Sequence, residues 1–360
     1  MRTSRTWWSA LLVCAAVAVG AACSGASNSG APVTATAAGG GPRAGVGPGL
    51  SDARDDFKAD DGRLRVATTV APLSSIVLNV GGSLIRVHGL IPDGVDSHTY
   101  EPRPSDAEVL GRADMLIMNG ANLEGTTERI ALQNLRDPAR IYKLADHTLA
   151  GDDPATGFLY DFSFPRSDGS PNPHLWMNPL YAMRYADLVR GWLTEHDPDH
   201  AADYQENYDR FAAVLRALDG AIAVDRLTVP VENRKLLTYH DSWAYWARRY
   251  DWHVIGAIQP SDLSEPSAKD LVDLITQIRR ERVPAIFGSE VFPSTTLEAI
   301  SRETGAVYEE KLRDDSPPGA FDDVAHTYIG MLVEDMQIMF DRLGGSAART
   351  AKVPVENTAR

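Results

Sequence analysis

The feature that most limits how this chain can fold is an alternation. From Arg63 onward, short apolar runs rich in Val, Ile and Leu take turns with stretches of helical period, and the pattern occurs in two halves. Strands read at Leu64–Thr69, Leu84–Ile91, Met115–Met118 and around Arg140–Leu144, then at Lys235–Tyr239, Trp252–Ile258, Ala285–Gly288 and Ala306–Glu309. Strands separated by helices at such spacing build parallel sheets covered on both faces, so the fold class is α/β. Between the halves, Tyr204, Tyr208, Phe211, Leu215, Leu218 and Ile222 follow at spacings of 4, 3, 4, 3 and 4, one apolar stripe on one long helix. From Pro198 to about Leu227 that helix would be about 45 Å long at 1.5 Å per residue, enough to span two lobes.

The chain has 360 residues, 44% of them hydrophobic, which is room for two domains or one two-lobed unit. Its formal net charge of −14 argues against nucleic acid, whose binders need clustered Lys and Arg to replace counterions. After the N-terminal segment there is no apolar run of the roughly 18 residues that a membrane span requires, so the body is expected to be soluble.

The N-terminal segment is different. Arg2 and Arg5 precede an apolar stretch from Trp7 to Val19, and Gly20-Ala21-Ala22-Cys23 follows. Small residues before a cysteine after a short hydrophobic run resemble a bacterial lipoprotein signal. On that reading residues 1–22 are removed and Cys23 carries a lipid that anchors the chain to the outer face of the cell membrane. An ordinary cleaved signal or an uncleaved anchor remains open. Cys14 and Cys23 are the only cysteines, and loss of Cys14 leaves no partner for an intrachain disulfide. Residues 23–62, rich in Gly, Ala, Ser, Thr and Pro and then Asp, read as a flexible tether, and residues 346–360 as a disordered tail.

Of nine histidines, His88, His147, His196, His200, His253 and His326 lie in strand, polar or helical contexts that suit structural or solvated roles. His98, His174 and His240 stand apart. His174 sits in Ser170-Pro-Asn-Pro-His-Leu-Trp-Met-Asn-Pro179, where Asn178 can cap a helix and Pro179 suits its first position. His98 lies in a loop after a strand, His240 ends a strand, and Glu290 follows Gly288 by two residues. Loops at the carboxyl ends of parallel strands form the ligand crevice of such folds. Three neutral imidazoles and a carboxylate suit a divalent metal: Zn2+ as a tetrahedron, or Mn2+ and ferrous iron with more oxygen ligands. The histidines are 76 and 66 residues apart, so spacing by itself leaves several functions open. One is a secreted zinc hydrolase with Glu290 as general base; another is a surface adhesin with a structural metal.

Three stretches carry a resemblance. Asp96-Ser-His-Thr-Tyr-Glu-Pro-Arg-Pro-Ser-Asp106, Asn172-Pro-His-Leu-Trp-Met-Asn-Pro179 and Tyr239-His-Asp-Ser-Trp-Ala-Tyr245 resemble motifs of the solute-binding proteins of bacterial zinc and manganese ABC importers. The resemblance runs in order from about Arg63 to Leu343. It implies two α/β lobes, each with a mainly parallel sheet flanked by helices, joined by one long rigid helix. It implies a first lobe at residues 63–197, a connecting helix at 198–227 and a second lobe at 228–345. It also implies a metal held between the lobes by His98 and His174 from the first and His240 from the second. Asn172 and Asn178 stand where the family commonly has Asp. Glu290 is the expected fourth ligand, with Asp314 or Asp315 as the alternative. The implied function is extracytoplasmic capture of Zn2+, or Mn2+ next, for delivery to an ABC permease and its ATPase subunits. A monomer that is not an enzyme is expected. A site of this kind needs neutral imidazoles, so its affinity should fall below about pH 6.

Overall fold

A computed structural model describes residues 57–149, 157–160, 171–258, 267–291 and 294–359. The expected signal segment, Cys23 and the tether up to residue 56 lie outside the described residues.

Two four-stranded sheets carry the architecture. In the first, β1 (Leu64–Thr68), β2 (Ile85–Gly89), β3 (Met115–Met118) and β4 (Ile141–Lys143) lie in the order β2-β1-β3-β4, all parallel. In the second, β5 (Lys235–Thr238), β6 (His253–Ala257), β7 (Ala285–Phe287) and β8 (Val307–Glu309) repeat that order as β6-β5-β7-β8, again all parallel. Parallel neighbours need crossovers, and the helices supply them. These are α1 (Ala71–Gly81), α2 (Pro104–Arg112) and α3 (Gly125–Asn134) in the first lobe, and α6 (Ala244–Tyr250), α7 (Ala268–Glu281) and α8 (Thr295–Thr304) in the second. Between the lobes run α4 (Pro179–His196) and α5 (Ala201–Asp225), and α9 (Tyr328–Arg342) closes the second.

Strand alternation divides the core into layers. Successive strand residues point to opposite faces. Thus Val66, Met115 and Ile117 join one large apolar cluster, while Ala67, Leu116 and Met118 join a separate one with Val109, Leu110 and Ala131. The second sheet behaves alike: Leu236, Ala285 and Phe287 face the large cluster, and Leu237 and Ile286 face Ile278, Leu297 and Ile300. The large cluster therefore touches one face of both sheets. Its middle is the expected stripe, with Tyr204, Phe211, Leu215, Leu218 and Ile222 of α5 fully buried. The 25 residues of α5 span about 37 Å. Because the two lobes share this core, opening them would expose apolar surface of both.

Several boundaries differ from expectation for physical reasons. Helix α2 begins at Pro104, and its first free amide is Arg103 N–H, which Asp106 Oδ2 accepts at 2.7 Å. A proline at the first position, whose missing N–H is no loss there, suits this start. The expected tether to residue 62 ends sooner. Phe57 is 2% exposed among Ala67, Leu90 and Leu110, and an aromatic ring buried there fixes the chain. The expected disordered tail is packed. Residues Thr350–Lys352 form a 3-10 turn, Thr350 is buried, and Thr358 N–H donates to Asn79 Oδ1 at 2.7 Å.

Candidate metal centre

His98, His174 and His240 come together although they are far apart in sequence. Their Nε2 atoms form a triangle with edges of 3.2 Å (His98–His174), 3.1 Å (His98–His240) and 3.0 Å (His174–His240). A tetrahedral zinc ion with bonds of about 2.0–2.1 Å sets its ligand atoms about 3.3 Å apart, close to this triangle. Each ring is placed by a loop at the carboxyl end of a strand. His240 follows β5 by two residues, and Thr238 Oγ1 donates to its carbonyl at 2.7 Å. Asp96 Oδ1 accepts His98 N–H at 2.9 Å and Asp96 Oδ2 accepts the Thr99 hydroxyl at 2.6 Å, so a tight turn presents the ring. Asn119, just after β3, donates from Nδ2 to Pro173 O at 2.9 Å and holds the third loop.

The tautomer of His174 follows from its neighbours. Asn172 Nδ2 donates to Asp241 O at 2.7 Å, which leaves Asn172 Oδ1 facing His174. That oxygen accepts His174 N–H at 3.1 Å and His174 Nδ1–H at 2.9 Å. The proton therefore sits on Nδ1, and Nε2 offers a lone pair to the centre of the triangle. The same amide ties Asn172 to the residue beside His240. An aspartate here could orient His174 but could not donate to Asp241 O. Burial also keeps the rings neutral. It pushes His98 down to about 3, helped by the nearby His240, and holds His174 well below the ordinary imidazole range.

The carboxylates sit differently from expectation. Among the described residues, the three histidines make a group whose ligand atoms all lie within 4.8 Å of one another, and no carboxylate joins it. Glu290 turns to the loop after β8, where it accepts the N–H groups of Asp314, Asp315 and Ser316. Asp314 is buried beside Ser289, whose hydroxyl donates to its Oδ1 at 3.3 Å. Asp315 reaches across to the first lobe. Its Oδ2 accepts Ser97 N–H at 3.2 Å and Ser97 Oγ–H at 2.9 Å, immediately before His98. Its Oδ1 is buried with no hydrogen-bond partner. Burial raises these acids together: Glu290 to about 8, with Asp314 adding to it; Asp314 to about 7, with Asp315; Asp315 to about 7, with Glu290. Arg313, the nearest cation in sequence, is turned to Glu334 at 2.7 Å.

Residues 66–340 match the family described as ZnuA, zinc-uptake complex component A, periplasmic. The chain belongs to the ZnuA family. The iron-binding protein YfeA of Yersinia pestis is 28% identical over 271 residues, 75% of this chain and 83% of YfeA. The metal ABC transporter substrate-binding lipoprotein SsaB of Streptococcus sanguinis is 26% identical over 258 residues, 72% of this chain and 82% of SsaB. The solved structure of the periplasmic zinc-binding protein TroA from Treponema pallidum superposes with a TM-score of 0.70 at 26% identity, over 79% of this chain and 100% of that one. The two-lobed, parallel-sheet fold of the ZnuA family is the fold found here, and the ZnuA match stops at residue 340, before the packed C-terminal segment.

Ser97 was not singled out from sequence; its signal was weak, being the neighbour of His98. Asn172 departs from the usual Asp in the motif of His174, but its tie to Asp241 O was not legible there. The other six histidines lie elsewhere, several with partners of their own, such as His326 Nε2 with Asp93 at 3.3 Å and His196 Nε2 with the Tyr142 hydroxyl at 2.5 Å.

Proposed function

We propose that this chain captures a divalent transition metal outside the cytoplasm and hands it to an ABC-type permease and its ATPase subunits. The carrying observation is the triangle of imidazole Nε2 atoms at 3.0–3.2 Å, with burial holding His98 and His174 neutral. With His98 and His240 also protonated at Nδ1, three Nε2 lone pairs would meet at one point, which a cation between them satisfies. Asp315 is the fourth ligand in this reading, because its Oδ1 is buried without a partner and its other oxygen is fixed by the residue before His98. Three nitrogens and one oxygen favour Zn2+, with Mn2+ next. The names of relatives support a metal cargo, with iron in YfeA and zinc in TroA. Membership of the ZnuA family favours solute binding over hydrolysis. Cys23 is the proposed lipid anchor, as SsaB is named a lipoprotein, and the working unit is a monomer.

The test is competition for Zn2+ and Mn2+ against chelators of known strength. Wild type should bind Zn2+ more tightly. His240→Ala should lose about a hundredfold or more, since changes outside the ligand set already cost about 10–100-fold. Unchanged affinity in His240→Ala would overturn the site.

A further inference from the structure

We propose that Glu290 is the positioning residue of the metal site: its carboxylate shapes the turn that presents Asp315 and so sets how tightly metal is held, without touching the metal. This rests on His98, His174, His240 and Asp315 being the ligands.

The turn is organised by carboxylates rather than by other backbone. Glu290 Oε1 accepts the amides of Asp314 at 3.3 Å, Asp315 at 3.1 Å and Ser316 at 2.9 Å. Glu290 Oε2 shares the Asp314 amide at 3.3 Å, and the Ser289 hydroxyl lies 3.3 Å from both Oε2 and Asp314 Oδ1. The amide before these, Arg313 N–H, goes to the buried Oδ1 of Asp335 at 2.8 Å. Four successive amides thus point at two acids on β7's loop and on α9, a nest of the kind that binds anions elsewhere.

That arrangement fixes where the side chains go. With the backbone N–H groups of Asp315 and Ser316 committed to Glu290, both side chains contact the loop of His98. Asp315 takes Ser97, and Ser316 Oγ accepts Gly94 N–H at 2.8 Å. The segment is held from outside as well, since Trp176 Nε1–H donates to Asp314 O at 2.8 Å and Glu290 N–H donates to Leu312 O at 3.3 Å. If Glu290 swung to the metal, three buried amides would lose their acceptor. Its sequence position suggests a ligand; its contacts make it a clamp.

The experiment measures Zn2+ affinity of the whole chain by chelator competition, and the Co2+ absorption spectrum, for Glu290→Gln, Glu290→Ala, Asp315→Ala and the double variant Glu290→Ala/Asp315→Ala. A clamp predicts that Glu290→Gln, which keeps the Oε1 acceptor, stays within about threefold of wild type with the same Co2+ spectrum. Glu290→Ala should fall by about 10–100-fold. The double variant should be no weaker than Asp315→Ala, because Glu290 acts through that residue. If Glu290 is a ligand, Glu290→Gln falls as far as Glu290→Ala, its spectrum changes, and the double variant loses both effects in full; any of these overturns the clamp. If Glu290→Ala does not fold, Glu290→Gln alone decides by the same criterion. Unchanged Zn2+ affinity in His240→Ala and Asp315→Ala would overturn the underlying site, whatever Glu290 variants do, and the clamp with it.

Discussion

Ser97 gives both its N–H and its hydroxyl to one oxygen of Asp315, at 3.2 and 2.9 Å, and the other oxygen is buried with no partner. A carboxylate held by one end only is costly to bury, and metal would satisfy the free end. Ser97→Ala removes the hydroxyl donor but keeps the amide. Its Zn2+ affinity should fall by about tenfold, the low end of effects from residues that orient ligands. Calorimetric titration would check this, and a loss as large as that of Asp315→Ala would mean that Ser97 itself meets the metal.

Asn172 holds loops of both lobes, with Oδ1 on His174 and Nδ2 on Asp241 O. Asn172→Asp keeps the acceptor but sets an oxygen against the Asp241 carbonyl. Both positions are buried or nearly so, at 0% and 5% exposure, so solvent cannot soften the conflict. Metal-free protein should lose about 1–3 kcal/mol at pH 7, measured as a shift in urea midpoint with unchanged slope. An unmoved midpoint would show that the amide does not tie the loops.

Glu124 supports the same region, accepting the Thr69 hydroxyl at 2.6 Å and the amides of Asn119 and Gly120 at 2.9 and 3.1 Å. Full burial nevertheless raises it from 4.5 to about 7. A raised folded-state value means stability that is present below about pH 4.5 and lost as pH rises through 7. The loss is of the order of 3 kcal/mol by pH 8 at 1.36 kcal/mol per pH unit. Glu124→Gln stays neutral, but its amide nitrogen meets Gly120 N–H. It should therefore be less stable than wild type at pH 5, and the gap should close or reverse at pH 8. Parallel urea curves at both pH values test this; a constant gap would mean that Glu124 does not titrate in this range.

How much was legible in the sequence depended on how local the cause was. The strands and α5 announced themselves because a strand buried on both faces leaves a short continuous apolar run and a helix buried along one stripe leaves a period of 3.6. Helix caps are local in the same way, acting within three residues: Ser267 and Ser294 accept the amides of Asp270 and Leu297 at the starts of α7 and α8. His98, His174 and His240 were separable from the other histidines by their loops, and the family motifs named them together. The fourth position was not legible in that way. Glu290 and Asp315 are both acids after strands β7 and β8, and which one keeps an oxygen without a partner depends on where the amides of residues 314–316 point. No periodicity encodes that. The C-terminal segment was misread for a similar reason, since its partners Asp225 and Asn79 lie 124 to 279 residues away.

Those distant partners make the C-terminus a stability element with a checkable signature. Asp225 ends α5, where a negative charge meets the unfavourable end of the helix dipole. It is tolerated there, 3% exposed, because its Oδ2 accepts Arg349 N–H at 2.8 Å, Thr350 N–H at 2.7 Å and Thr350 Oγ–H at 2.9 Å. Further on, Asn357 and Thr358 pair with Asn79 of α1, and Val355 O accepts the Thr327 hydroxyl at 2.5 Å. Truncation after Gly345 should cost about 3–5 kcal/mol, since it strips a buried charge of all three donors. Asp225→Asn should weaken the intact chain, where the amides prefer a carboxylate, yet stabilise the truncated one by removing the orphaned charge. That reversal of sign, read from urea midpoints of four proteins, separates a lost partner for Asp225 from a general loss of packing. If Asp225→Asn destabilises both backgrounds equally, the segment acts through packing alone.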